Sequence, residues 1–305
     1  MCIACLLLLA VGCRRRPPAP APEGVATPAE VTLRDQVGRL VKLLRPPRRI
    51  VSLAPSTTET LFALGVGDRV VGVTTWCDYP PEAQELATVG DSQLNVERII
   101  SLDPDLVVAV AHLQGGVIEA LDRAGAPVLA IDTSAFDDLY AAIRLLGEAT
   151  DAREQAETIV AEMQDARRRI REAAVPEEHR PRVFIEIGDR PLRTAGPGTF
   201  VSQIVEDAGG RNIADDVRSD WGTFSYEAVI ARDPDVIIST IPDDARAAVH
   251  PEGWAAISAV RTGRVHVIDP DIVVRPGPRL KQGLEAVFEV LHPRPESAPR
   301  RHRSP

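Results

Sequence analysis

The sequence predicts an α/β fold: two Rossmann-like lobes with parallel central sheets, joined by one long helix, with a ligand cleft between the lobes. Three observations predict it. Val- and Ile-rich runs alternate with helical segments in two separate series, and they are continuous, as expected of strands buried on both faces of a parallel sheet. Between the two series, residues 151–176 contain no glycine and no proline before the last position, and their apolar residues recur at helical spacing. Finally, "NVERIISLDPDLVVA" at 95–109 returns, blurred, as "SYEAVIARDPDVIIS" at 225–239, so each series makes the same helix-to-strand unit once.

Taken in order, "VTLRDQVGRLVKLL" (31–44) reads as a hairpin turning at Gly38. The first series places strands at "RIVSLAP" (49–55), "RVVGVTT" (69–75), "LVVAVA" (106–111) and "PVLAID" (127–132). The second places them at "RVFIEIG" (182–188), "VIIST" (236–240) and "RVHVID" (264–269). In the connecting helix, Ala156, Ile159, Val160, Met163, Ala166 and Ile170 form one apolar stripe. At 1.5 Å per residue, about 23 helical residues span roughly 35 Å, enough to brace two lobes. The expected division is therefore an N-terminal α/β lobe over 31–150, the connecting helix over 151–176 and a C-terminal α/β lobe over 177–292.

The ends differ from the body. "CIACLLLLAVG" is an 11-residue apolar run, too short for a permanent span, and it stops at Cys13 before three arginines. Residues 1–13 are expected to be an export signal of the lipoprotein type, with Cys13 as the lipidated residue that tethers the protein to a membrane. The Cys2–Cys5 pair lies inside that signal, and a redox or metal role is not inferred from it. Residues 14–30 are a Pro/Ala-rich tether, and 293–305 a basic tail expected to be disordered. Of 305 residues, 44% are apolar and the net charge is −9. Seven arginines but only three acids lie outside 31–293, so that body carries 28 basic and 41 acidic residues, a net of −13. A surface so acidic argues against nucleic-acid binding.

"RIVSLAPSTTETLFALGVGDRVVGV", "DYPPEA", "NVERIISLDPDLVVA", the long helix, "TAGPGTFVSQIVEDAGGRNIA" and "RPGPR" follow one another in this order. Together they resemble the class III periplasmic binding proteins, the extracytoplasmic receptors of ABC importers for cobalamin, haem and ferric siderophores. The likeness spans about residues 31–292. It implies a monomeric, non-enzymatic receptor without a cofactor, which delivers a bulky metal chelate to a permease dimer and its ATPase. Cobalamin is the leading ligand; a ferric siderophore or haem is the alternative.

Site residues follow from the two readings together. In "APSTTET", Ser56 and Glu59 have the spacing of a capping box, which can be a cap and nothing more. The resemblance instead puts Pro55, Ser56 and Thr57 at the ligand, with free helix amides facing an anionic group. Aromatic residues are only 4% of the chain, so the loop positions of Trp76, Tyr79 and Trp221 are informative. The resemblance makes Trp221 one wall of the cleft and Trp76 or Tyr79 the other; packing as lids is the plainer explanation. Trp254 reads as structural. Asp271 and Arg275 match a ligand-contacting pair of cobalamin receptors, or form a mutual ion pair. Arg193 stands where an aromatic is commoner in the family, and with Arg275 and Arg279 it would suit an anionic chelate.

Glu97 and Glu227 head the two copies of the repeat. An acid in a first turn gains about 0.3–1 kcal/mol from the helix dipole, which would suffice for one copy. The resemblance implies that the pair docks the two lobes on arginines of a two-fold permease. Catalytic signatures are missing: six histidines form no H-x-H or H-E-x-x-H pair, and G-x-S-x-G and Walker A sequences do not occur. A metal-ion receptor would need several ligands converging in the cleft, and only His112 stands at a strand end.

Overall fold

The computed structural model describes residues 29–217, 221–242 and 253–293. The expected signal, most of the tether and nearly all of the basic tail lie outside these residues. The hairpin opens the described chain, with β1 (Ala29–Arg34) antiparallel to β2 (Leu40–Arg45) and Gly38 at φ +88° in the turn. Only glycine adopts that backbone conformation without strain. The first strand starts two residues inside the segment read as tether.

In the N-terminal lobe, β3 (Ile50–Ser52), β4 (Val70–Val73), β5 (Ala87–Thr88), β6 (Leu106–Val110) and β7 (Val128–Ile131) form a parallel sheet of order β5-β4-β3-β6-β7. All of β3, β6 and β7 is buried, as the continuous Val/Ile runs require. The crossovers include α1 (Pro55–Ala63), α2 (Val96–Ser101) and α3 (Ala111–Arg123), and α4 (Phe136–Thr150) leads out of the lobe.

Helix α5 (Arg153–Ala173) is the expected connector, and every residue of its apolar stripe is buried. It packs along α4 on the N-terminal side. On the other side it meets α6 (Phe200–Asp207) and the last helix, Leu280–Leu291. The connector is thus the spine of one apolar core running through both lobes, from Leu33 to Leu291.

The C-terminal lobe has two sheets. Strands β8 (Arg182–Glu186), β11 (Arg211–Asn212), β13 (Val236–Ser239) and β14 (Val265–Val267) form the parallel one, in the order β11-β8-β13-β14. Beside it β9 (Gly188–Asp189), β10 (Leu192–Ala195) and β12 (Trp221–Thr223) make a small antiparallel sheet that the sequence did not announce. Short helices α7 (Tyr226–Arg232), α8 (Ser258–Arg261) and α9 (Pro270–Val273) precede α10 (Leu280–Leu291). A Cβ on Gly283 would sit 2.0 Å from the Ile272 carbonyl oxygen, so α9 and α10 touch only because this residue is glycine. Gly283→Ala is expected to lower stability by about 1–3 kcal/mol, read as a drop in the urea midpoint with an unchanged slope. Among the described residues no helix is long and apolar enough to cross a membrane.

Candidate functional site

The carboxyl ends of both parallel sheets open on one slot of about 410 Å³. The N-terminal lobe contributes Ser56, Val110, His112, Leu113 and Thr133; Ile187, Arg193, Thr194, Phe200 and Trp221 face them from the other lobe. This is where open α/β sheets place ligands, because strand-end loops and helix N-termini converge there. Two larger hollows, of about 750 and 740 Å³, lie beside the β1–β2 hairpin and between α1 and α5. Neither brings the two sheet ends together, so size does not single out the site.

Trp221, on β12, is held against Phe200 with ring centroids 5.5 Å apart. Its strand pairs with β10, setting Trp221 opposite Ala195 and Thr223 opposite Arg193, two residues along the same sheet. Arg193 is exposed to the slot and makes no ion pair among the described residues. The opposite wall sets Val110 and Leu113, from the end of β6 and the start of α3, among the polar Ser56, His112 and Thr133. Leu113 is 66% exposed there, a large apolar side chain left open at the rim. Thr133 and Thr194, one in each lobe, are buried with hydroxyls that have no hydrogen-bond partner among the described residues.

Helix α1 departs from the capping-box expectation. Ala54 is its N-cap, with no side-chain hydrogen bond, and Pro55 occupies the first helical position. Proline has no N–H to cap, so the helix starts there and Ser56 becomes its second residue instead of its cap. Ser56 borders the slot, whereas Thr57 is buried and turned inward, its Oγ1 donating to the Ala54 carbonyl at 2.8 Å. The amides of Ser56 and Thr57 have no acceptor among the described residues.

Glu59 serves a different purpose from capping. It is 4% exposed, and Arg279 donates to both its oxygens, from Nε at 2.8 Å and Nη2 at 2.6 Å. Arg275 donates to Asp78 at 2.5 Å, lies 2.8 Å from Asp271 and approaches Glu59 at 3.6 Å. These five charges strap residues 270–279 back onto the N-terminal lobe, where Gly277 lies over Ser56. The Arg275 hydrogen bond holds Asp78 below the usual carboxylate range. Burial pushes Asp271 up, with Arg275 opposing.

The expected arginine cluster is corrected accordingly. Arg275 and Arg279 are neutralised by three carboxylates, two of which lie about 200 residues away in sequence, and of the three arginines Arg193 alone has no ion pair among the described residues. Asp271 and Arg275 form the mutual pair, while the neighbours Val274 and Pro276 line the slot. The aromatic opposite wall is corrected too. Trp76 is 60% exposed and outside the slot, and the Tyr79 ring lies under Arg279, its centroid 4.0 Å from the guanidinium carbon, at the hollow between α1 and α5. Both residues sit in the loop after β4 whose Asp78 is bound by Arg275, so this loop belongs to the strap rather than to the slot lining. Trp254 packs edge-on against Tyr226 in the C-terminal lobe, as structural as it reads. Leu113, Phe200, Ile187 and Val274 were not singled out in the sequence; only the apolar head of an otherwise amphipathic α3 signals the first.

The two copies of the repeat superimpose in their chemistry. Asn95 and Ser225 cap α2 and α7, accepting from the amides of Arg98 and Ala228. The first Asp of each D-P-D turns the chain, with φ +49° at Asp103 and +42° at Asp233. The second anchors the start of the lobe's first central strand, accepting from the Arg49 amide (Asp105) and the Arg182 amide (Asp235), both at 2.8 Å. Glu97 and Glu227 do none of this work. Both are exposed in a first helical turn and make no ion pair among the described residues.

The sequence model of the periplasmic binding protein family matches residues 50–272, which takes in the connector, most of both lobes and every slot residue but Val274 and Pro276. The chain belongs to that family. An uncharacterized ABC transporter substrate-binding lipoprotein of Bacillus subtilis is 38% identical over 270 residues, covering 86% of each chain. A vitamin B12-binding protein of Pectobacterium carotovorum is 36% identical over 250 residues, covering 80% of this chain and 88% of its own. The structure of a periplasmic haem-binding protein from Pseudomonas aeruginosa superimposes with a TM-score of 0.73 at 30% identity, covering 81% of this chain and 93% of that one. The two-lobed architecture is therefore that of the class III binding proteins, and the periplasmic binding protein described here is of the kind that serves ABC transporters.

Proposed function

We propose that this protein captures a cobalamin-type corrinoid in the slot between its lobes and hands it unaltered to an ABC import permease. The observation that carries this reading is Trp221, backed by Phe200, facing Val110 and Leu113 across the ends of two parallel sheets. A broad, flat macrocycle needs such a gap, with few polar contacts to orient it. The name of the Pectobacterium relative supports it. A second reading, a haem or ferric-siderophore receptor, draws on Arg193, an unpaired cation suited to propionates or an anionic chelate. Titrating the purified protein with cyanocobalamin, haemin and ferric chelates, followed by tryptophan fluorescence, decides between them. Saturable one-to-one quenching by cyanocobalamin is expected; quenching by haemin or a ferric chelate alone would overturn the corrinoid assignment.

Lobes sharing one core close little, so capture proceeds with small hinge motion. Glu97 and Glu227 dock the loaded receptor on a two-fold permease served by its ATPase, and charge pairs there steer encounter more than they add affinity. Cys13, lipidated, holds the monomer at the outer side of the membrane. Glu97→Ala and Glu227→Ala are expected to leave corrinoid affinity unchanged while impairing uptake in cells. A loss of affinity in either variant would show that the acids serve the cleft instead.

A further inference from the structure

His112 is the one titratable side chain of the N-terminal wall of the slot, and nothing above uses it. We infer that its imidazole coordinates the central metal of the bound corrinoid, as an axial ligand from the face opposite Trp221. The inference rests on the corrinoid reading and adds to it a chemical preference, for corrinoids with an exchangeable axial site.

Position is the first argument. Trp221 and Phe200 line the slot from one lobe, and His112 and Leu113 from the other. A flat ring stacked on Trp221 turns its second face toward the turn that bears His112, and an axial ligand must approach along that direction.

The second argument is that the turn is built to stay in place. Helix α3 is not regular at its start: Gln114 has φ −131° and ψ 23°, which sets residues 111–113 apart as a single turn. The Gln114 side chain accepts from the Val110 amide at 2.8 Å and donates to the Leu53 carbonyl, pinning the turn to the ends of β6 and β3. Asp132, at the end of β7, stands 3.9 Å from His112 Nδ1. Its carboxylate is itself held by the Ser134 amide at 3.0 Å and hydroxyl at 2.7 Å. At that distance the two are not hydrogen-bonded, but a small turn of the ring would bring Nδ1–H onto the carboxylate, the contact that accompanies metal-bound histidines. Nδ1 faces Asp132, which leaves Nε2 as the coordinating atom.

Third, the surroundings suit a metal that arrives already chelated. No group of three or more His, Cys, Asp or Glu that could hold a bare ion occurs among the described residues. One imidazole cannot replace the hydration shell of a free divalent cation, whose sites use several protein ligands. It can add one bond to a cobalt already held by four ring nitrogens. The step is a ligand exchange: the Nε2 lone pair forms a Co–N bond, the axial water leaves as water, and the oxidation state of cobalt does not change. The imidazole is exposed at the slot, so a metal carried in by a bound ring can reach it.

The test uses the full chain with diaquocobinamide, whose axial waters exchange, and dicyanocobinamide, whose axial positions are blocked. Binding of diaquocobinamide is expected to shift its visible bands to those that free imidazole produces. In His112→Ala the shift should vanish and affinity for diaquocobinamide fall by about tenfold or more. Dicyanocobinamide should lose far less. In His112→Gly, added imidazole should restore the shifted spectrum, which a merely structural role would not allow. Diaquocobinamide bound by the native protein with an unshifted spectrum, or a shift that survives His112→Ala, overturns the inference and leaves the corrinoid reading standing. Failure of both cobinamides and of cyanocobalamin to bind overturns both.

Discussion

Trp221→Ala is expected to weaken cyanocobalamin binding by well over tenfold in an equilibrium titration. A buried Trp covers up to about 250 Å², and a guest stacked on the slot side takes roughly 100 Å² of it out of water. At about 25 cal/mol per Å² that contact is worth about 2.5 kcal/mol, against 1.4 kcal/mol for each tenfold change. Phe200 supports the ring from behind, so truncation also leaves a gap that Val110 and Leu113 opposite cannot fill. Trp221→Phe keeps a flat wall and should recover most of the affinity. Trp76→Ala, outside the slot, should change it little. A Trp221→Ala protein binding within about threefold of the native one would place the guest elsewhere, since three-fold is under 1 kcal/mol.

Glu59→Ala is expected to cost about 3 kcal/mol or more of stability, seen as a lower urea midpoint. Removing one member of a buried, bidentate ion pair strands the other charge in a poorly solvated place, and that cost exceeds the value of the pair itself. Here Arg279 would keep only Asp271, at 3.9 Å, and the Tyr79 ring. Because Glu59, Arg275 and Arg279 hold down residues 270–279, corrinoid affinity should fall as well, through Val274 and Pro276. A double variant, Glu59→Leu with Arg279→Leu, should regain much of the lost stability, because no charge is then left unpaired. If the double variant were as unstable as the sum of the single ones, the strap would owe its effect to packing rather than charge.

The parallel strands were legible because burial on both faces demands an unbroken apolar run, and no other short element shows one. The connector was legible because its six apolar residues share one face of a 3.6-residue repeat, and all six are buried. The antiparallel trio was not. Its strands have two to four residues, too few to show alternation, and β12 finds its partner 26 residues upstream. The candidate site divides in the same way. Trp221 and Trp76 both read as loop tryptophans in the sequence, and nothing local distinguishes the one at the slot from the one at the surface. His112 stood at a strand end in the sequence, but Asp132 beside it and Gln114 beneath its turn became meaningful only once β3, β6 and β7 were adjacent.

By itself the sequence determined which segments become strand or helix, that the chain repeats one helix-to-strand unit with an acid at its head, and the stiffness of the connector. Each of these depends on residues close together along the chain, where periodicity and backbone preference act. Tertiary structure alone decided which charges remain unpaired and which rings face the slot. Arg275 and Arg279 find Asp78 and Glu59 across some 200 residues, and ion pairing falls off so steeply with distance that only folded neighbours can cancel one another. Arg193, without such a neighbour among the described residues, is left with its charge open at the slot.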